Sequence, residues 1–143
     1  MQRRDKSSGG WPSETSPRFT VNNLGRATSI SHDLAGLGST VTMAQAFDAA
    51  SNRTRLSAQI GSTDDFVTDY TYDNLHRMTR IQQQGASGGN AVAEERIDLA
   101  YDALSRFESI SRYADLAATD LVAVSDYVFD AAGRLTDLTH AKG

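Results

Sequence analysis

There is no cysteine in the 143 residues, which excludes disulfides and every metal site built on thiolates. Lysine is scarce, with two among 14 basic residues, and the formal net charge is −4. The arginines are spread along the chain and make no basic patch, so nucleic acid is not an expected partner. No stretch approaches the ~20 apolar residues of a membrane-crossing helix, so no membrane span is expected. The opening Met1–Gly10 segment is charged, but no apolar run follows it, so it does not read as a signal peptide. Proline occurs only at Pro12 and Pro17. Leu, Ile, Val and Phe supply about one residue in five, which predicts a thin core leaning on Tyr, Thr and Ala.

What the chain does have is self-similarity. Five segments align: Val21–Arg26, Phe47–Arg53, Tyr72–Arg77, Tyr101–Arg106 and Phe129–Arg134. Their first residues, the anchors, lie 26, 25, 29 and 28 positions apart, a period within the range of repeat architectures. Each anchor is followed by Asn22, Asp48, Asp73, Asp102 or Asp130, and each segment closes on Arg26, Arg53, Arg77, Arg106 or Arg134. Two residues before the anchors stand Phe19, Gln45, Tyr70, Leu99 and Tyr127. One and four residues after the arginines come Ala27 and Ile30, Met78 and Ile81, Phe107 and Ile110, Leu135 and Leu138. The second copy departs, with Thr54 and Ser57 at those places and Leu56 one position early.

The repeat reads as a β-hairpin. Residues two apart share one face of a strand, so Tyr70 and Tyr72, or Tyr127 and Phe129, are neighbours on that face. The Asp opens a turn by accepting bonds from backbone N–H groups ahead of it. Asp first and Gly fourth suit a type I turn that runs into a left-handed residue and a bulge. Gly25 and Gly133 fit that fourth place, whereas His76 and Ser105 sit there at a cost, which leaves room for those turns to differ. The second loop reads as one residue longer, with Asn52 as its left-handed residue. The offset of three between apolar residues after the arginine means either a bulge or a strand half-buried on both faces.

Ala91 to Phe107 competes as an amphipathic helix, because Ile97, Ala100, Tyr101 and Leu104 fall at helical spacing. Its repeat equivalents are strand-like, and strand is the reading adopted. Loop compositions lie at Gly36–Thr40, Gly85–Asn90 and Asp115–Asp120. Residues 1–17 read as a disordered lead-in and 18–143 as the array. The expected fold is all-β: about ten strands in tandem antiparallel hairpins, forming a curved sheet strip or a partial shell or barrel. Neither end unit looks like a polar cap, so the array is expected to be marginally stable alone. It would then self-associate through its sheet edges or curl into a partly closed barrel.

The run Tyr-Asp-x-x-Gly-Arg-Leu at this spacing resembles the YD-repeat, or RHS (rearrangement hotspot) repeat, family. Phe129–Leu135 and Val21–Arg26 are the nearest copies, and the Tyr72 and Tyr101 units keep all but the glycine. The resemblance covers about residues 18–140. It implies a strip of hairpins which, in large family members, spirals into a hollow shell. Such shells enclose toxin domains in bacterial polymorphic toxins, and similar ones serve adhesion in cell-surface proteins. Secretion or cell-surface placement, and partners that are further repeats of the same shell, follow from the same resemblance. Sugar binding has also been suggested for such repeats. No proline follows Pro17 and no toxin domain follows the fifth hairpin, so the family's self-cleavage and toxicity are not carried to any residue here.

No enzymatic constellation is legible. His32, His76 and His140 have no partner at metal-ligand spacing. Asp64–Asp65 and Glu94–Glu95 are adjacent, so on a strand they point to opposite faces rather than converging as a hydrolytic pair. One carboxylate per turn is too few for calcium. No cofactor and no metal are expected. The arginines read as a ladder of charges paired with the turn aspartates or with Asp69, Asp98 and Asp126. The expected role is a non-catalytic scaffold. The alternative is a carbohydrate- or cell-surface-binding module that stacks sugars on Tyr70, Tyr72, Tyr127 and Phe129.

Overall fold

The computed structural model describes residues 17–34, 39–86, 88–89 and 92–143. The expected disordered lead-in, but for Pro17, lies outside the described residues. The described residues form ten strands: β1 (Arg18–Val21), β2 (Ala27–Leu34), β3 (Ser39–Phe47), β4 (Arg53–Ile60), β5 (Thr63–Tyr72), β6 (Met78–Gly85), β7 (Glu95–Tyr101), β8 (Phe107–Tyr113), β9 (Leu121–Phe129) and β10 (Leu135–Lys142). They lie in one antiparallel sheet in chain order, each bonded only to its sequence neighbours. The fold is therefore all-β, and the sheet is open: β1 and β10 are its two free edges. Among the described residues no pairing joins β1 to β10, so the strip is not closed into a full barrel. The stretch with helical spacing is strand, turn and strand, because Tyr101 and Phe107 pair across a hairpin.

The turn chemistry builds every hairpin alike. In the third unit Asp73 N–H donates to the Arg77 carbonyl at 2.9 Å, and His76 N–H donates back to the Asp73 carbonyl at 3.0 Å. Asp73 Oδ1 accepts the N–H groups of Leu75 and Arg77 at 2.9 and 3.0 Å. Asn22, Asp102 and Asp130 repeat this pattern. The fourth turn residue is left-handed in all five units, with φ of 72° at Gly25, 72° at Ser51, 62° at His76, 64° at Ser105 and 79° at Gly133. His76 and Ser105 thus adopt the glycine conformation rather than a different turn. The bonds converging on the Asp outweigh the ~1–2 kcal/mol that such a backbone costs a residue with a Cβ.

The second unit corrects the sequence reading. Ser51, not Asn52, is left-handed, and its loop has the same length as the others. Asp48 N–H donates to the Asn52 carbonyl, as Asp73 does to Arg77. Asn52 N–H and Nδ2 donate to the Asp48 carboxylate, both at 2.8 Å. Asn52 therefore occupies the arginine's place, and Arg53 is the first residue of the returning strand. Leu56, opposite Gln45, sits where Ile81 sits opposite Tyr70, so it is not early.

Each hairpin carries one bulge beside the turn, between Thr20 and Val21, Ala46 and Phe47, Thr71 and Tyr72, Ala100 and Tyr101, and Leu135 and Asp137. This decides the offset of three. Met78 faces Tyr72 and Ile81 faces Tyr70, so the bulge returns both apolar residues to the anchor face. Among the described residues the buried ones are Ala58, Thr68 and Ser125. All three lie on that face, since Thr68 and Ser125 precede Tyr70 and Tyr127 by two and Ala58 follows Leu56 by two. Full burial among the described residues is thus confined to small side chains.

Replacing Ser51 with Gly is expected to raise unfolding free energy by about 0.5–1 kcal/mol in urea titration, by relieving the left-handed strain. Asn52→Gly is expected to lower it, because it removes the side-chain bond to Asp48. Had the left-handed residue been Asn52, the two signs would be reversed.

Candidate functional site

The recurring residues converge along one end of the strip, where the five turns stand side by side. The aspartates draw their own arginines in. Arg77 Nε donates to Asp73 Oδ2, Arg106 Nε to Asp102 Oδ2 and Arg134 Nε to Asp130 Oδ2, each at 2.7 Å. Held this way, Arg77 and Arg106 project their guanidinium groups toward the next hairpin and over an aromatic ring there, as Arg26 does without such a bond. Arg26 sits 4.7 Å from the centre of Phe47, Arg77 4.6 Å from Tyr101 and Arg106 4.3 Å from Phe129. Arg53, displaced by one residue, covers Tyr70 rather than Tyr72, at 4.9 Å. All four junctions are closed by the same cation–π contact.

Further bonds cross each junction. Arg26 and Arg77 donate to the carbonyls of Asp48 and Asp102 in the following turn, at 3.3 and 3.4 Å. Arg77 also donates to Ser105 Oγ at 3.1 Å, and Asn52 meets His76 Nδ1 at 3.1 Å. Two of the three side chains at the strained left-handed positions, His76 and Ser105, therefore receive bonds from the preceding unit. In the other direction, Tyr72 and Tyr101 donate their hydroxyls to the carbonyls of Arg53 and Met78, at 2.9 and 2.8 Å. Phe47 has no hydroxyl, and Gln45 reaches the equivalent Ala27 carbonyl at 3.5 Å instead.

The electrostatics follow from these contacts. Burial pushes the Tyr72 and Tyr101 phenols up, with Arg53 and Arg77 opposing. The side-chain bond from Asn52 holds the Asp48 carboxyl below its ordinary value. Burial pulls Asp73 upward, but the bonds from Arg77 outweigh it and leave the group lowered. Asp102 and Asp130 are lowered, first by the backbone N–H groups of Arg106 and Arg134.

The arginines do not use Asp69, Asp98 or Asp126 as partners. Asp69 pairs with Arg55 at 3.7 Å. Asp98 pairs with Arg80 at 2.8 Å and Arg96 at 2.7 Å on the opposite face. Arg96 and Gln82 donate to the Leu116 carbonyl at 3.0 and 3.2 Å, fastening the 114–120 loop. Sequence reading missed this cluster because it depends on the register of β6 and β7, which places Arg80 opposite Asp98.

The four candidate sugar-stacking residues share one face but not one free surface. Tyr70 and Phe129 lie under guanidinium groups, Tyr72 has its hydroxyl engaged, and Tyr127 lies 6.1 Å from Phe107. Sequence reading also missed a Ser–His contact: Ser125 Oγ and His140 Nδ1 are 2.9 Å apart. Ser125 is 2% exposed and its hydroxyl accepts from Arg112 at 3.2 Å, so it is a buried bridging group rather than an open nucleophile. Among the described residues no group of three or more His, Asp or Glu converges as a metal site, and no helix is long and apolar enough to cross a membrane.

Two outcomes are expected. Arg77→Ala should cost about 1–2 kcal/mol by chemical denaturation, through the lost stacking and cross-junction bonds. Arg134→Ala should fall within about 0.5 kcal/mol, because the Arg134 side chain is 80% exposed against 24% for Arg77. Second, the lowered aspartates bind protons more readily in the unfolded chain, so their stabilisation is complete above the ordinary carboxylate pKa and lost as pH falls through the folded values. The urea midpoint should hold from pH ~7 to ~5 and decline below pH ~4. Asp73→Asn, Asp102→Asn and Asp130→Asn together should lower the neutral plateau and flatten that decline.

Comparison with known proteins adds no relative to this geometry: no family model matches the chain, and no curated protein matches it.

Proposed function

We propose that this chain is a non-catalytic structural scaffold, a stretch of wall built from hairpin repeats of the RHS type. The observation that carries the reading is that the recurring polar groups are engaged with one another. The aspartates cap their own turns, the arginines cover the next unit's rings, and the tyrosine hydroxyls bind the preceding unit's backbone. A residue set repeated for ligand chemistry would present free donors and open ring faces. This set is directed at neighbouring repeats, which is what a wall of stacked units requires. Further repeats of the same kind, at the secreted or surface location implied by the resemblance, are its natural partners, and shell-type enclosure of cargo is the corresponding role in a longer chain.

A glycan array on the folded chain is expected to return no reproducible binding. Tyr127 carries no guanidinium on its face, so Tyr127→Ala is the discriminating variant. Glycan binding that disappears in this variant, with the far-UV circular dichroism unchanged, would replace the scaffold with a carbohydrate-binding module.

A further inference from the structure

The four junctions between hairpins share one register. Count from the first residue of the returning strand and from the next anchor. The second residue beyond the former always faces the third residue before the latter. The pairs are Ser29 with Ala44, Arg55 with Asp69, Arg80 with Asp98 and Ser109 with Asp126. Two of these are ion pairs.

The same rule applied to the free edges gives a specific result. On β10 the second residue beyond Leu135 is Asp137, and on β1 the third residue before Val21 is Arg18. Both are exposed, and neither has an ion pair among the described residues. The sheet has an even number of strands, so β1 runs antiparallel to β10 when placed beside it, as β3 does to β2. The turn of the fifth hairpin and that of a following first hairpin then stand at the same end. Arg134, exposed at one edge, would be directed at Val21 and Phe19, which are exposed at the other.

We propose that the two edges are complementary, and that a second copy of this chain docks head to tail, the β1 of one copy against the β10 of the other, with Arg18 facing Asp137. The junction deepens the scaffold reading by naming its partner. It continues the interface already present four times within the chain, with the two charges exchanged in side relative to Arg55–Asp69 and Arg80–Asp98. It is also weaker than those. Pro17 lies where Thr68 and Ile97 lie in other units and has no N–H to give the ladder. Val21 offers no ring to Arg134. The contact is heterologous, so it builds a ring or an open chain rather than an isologous pair.

The test is sedimentation velocity over a concentration series with charge variants. The native chain is expected to show concentration-dependent association that weakens as salt rises. Arg18→Asp and Asp137→Arg, each alone, should weaken it roughly tenfold or more by placing like charges opposite each other. The double exchange should restore it. Because the chain has no cysteine, Arg18→Cys and Asp137→Cys chains can be mixed and oxidised, and the mixed dimer should dominate over either symmetric one. A strictly monomeric native chain would overturn the proposal, as would association indifferent to both single charge variants, or a dominant Asp137→Cys symmetric dimer. None of these would touch the scaffold reading, which allows the neighbouring repeats to belong to the same longer chain. The glycan array tests that reading separately.

Discussion

A sheet with no second layer among the described residues has to shelter its apolar face with side chains of its own. Here the shelter is a guanidinium laid over an aromatic ring at every junction between hairpins. Arginine suits the task because its plane stacks on a ring while its edge still donates hydrogen bonds. The turn aspartate fixes one edge of Arg77 and of Arg106, and in Arg77 another donor reaches the next turn. Turn, strand and junction are therefore parts of one arrangement. The carboxylate that shapes the loop also aims the cation that binds the neighbouring unit.

Departures from the repeat show the same dependence. Asn22 replaces the aspartate in the first unit, and Arg26 Nε has no protein partner. Gly133 replaces the hydroxyl-bearing Ser105, and Arg106 Nη1 is left without one, at 3.6 Å from where a Cβ on Gly133 would stand. In the second unit Asn52 takes over the bond to the carboxylate, while Arg53, released from the turn, finds Gln45 and Tyr70. The chemistry of the junction survives with its parts moved by one residue.

Much of this was readable in the sequence. Strand, turn and bulge follow from local rules, since an Asp before a left-handed position and aromatics two apart each have one economical conformation. Two things were not readable. The second unit was misframed because arginine was aligned with arginine, whereas the backbone aligns by distance from the aspartate. Asn52 and Ser51 then fall into place. The arginine–aromatic contacts and the Arg80–Asp98–Arg96 cluster depend on how one hairpin registers against the next, and loops of differing length separate the hairpins, so spacing along the chain does not reveal it.

Those loops range from two residues between β4 and β5 to nine between β6 and β7, yet the strands on either side meet in the same register at each junction. Alignment is set afresh by every turn and not carried over from the loop before. The strip thus works as a vernier with independent divisions. Residues added to or removed from the connections at the other end leave the pairing of all other units in step, and sequence drift can collect along that margin without the wall losing its course.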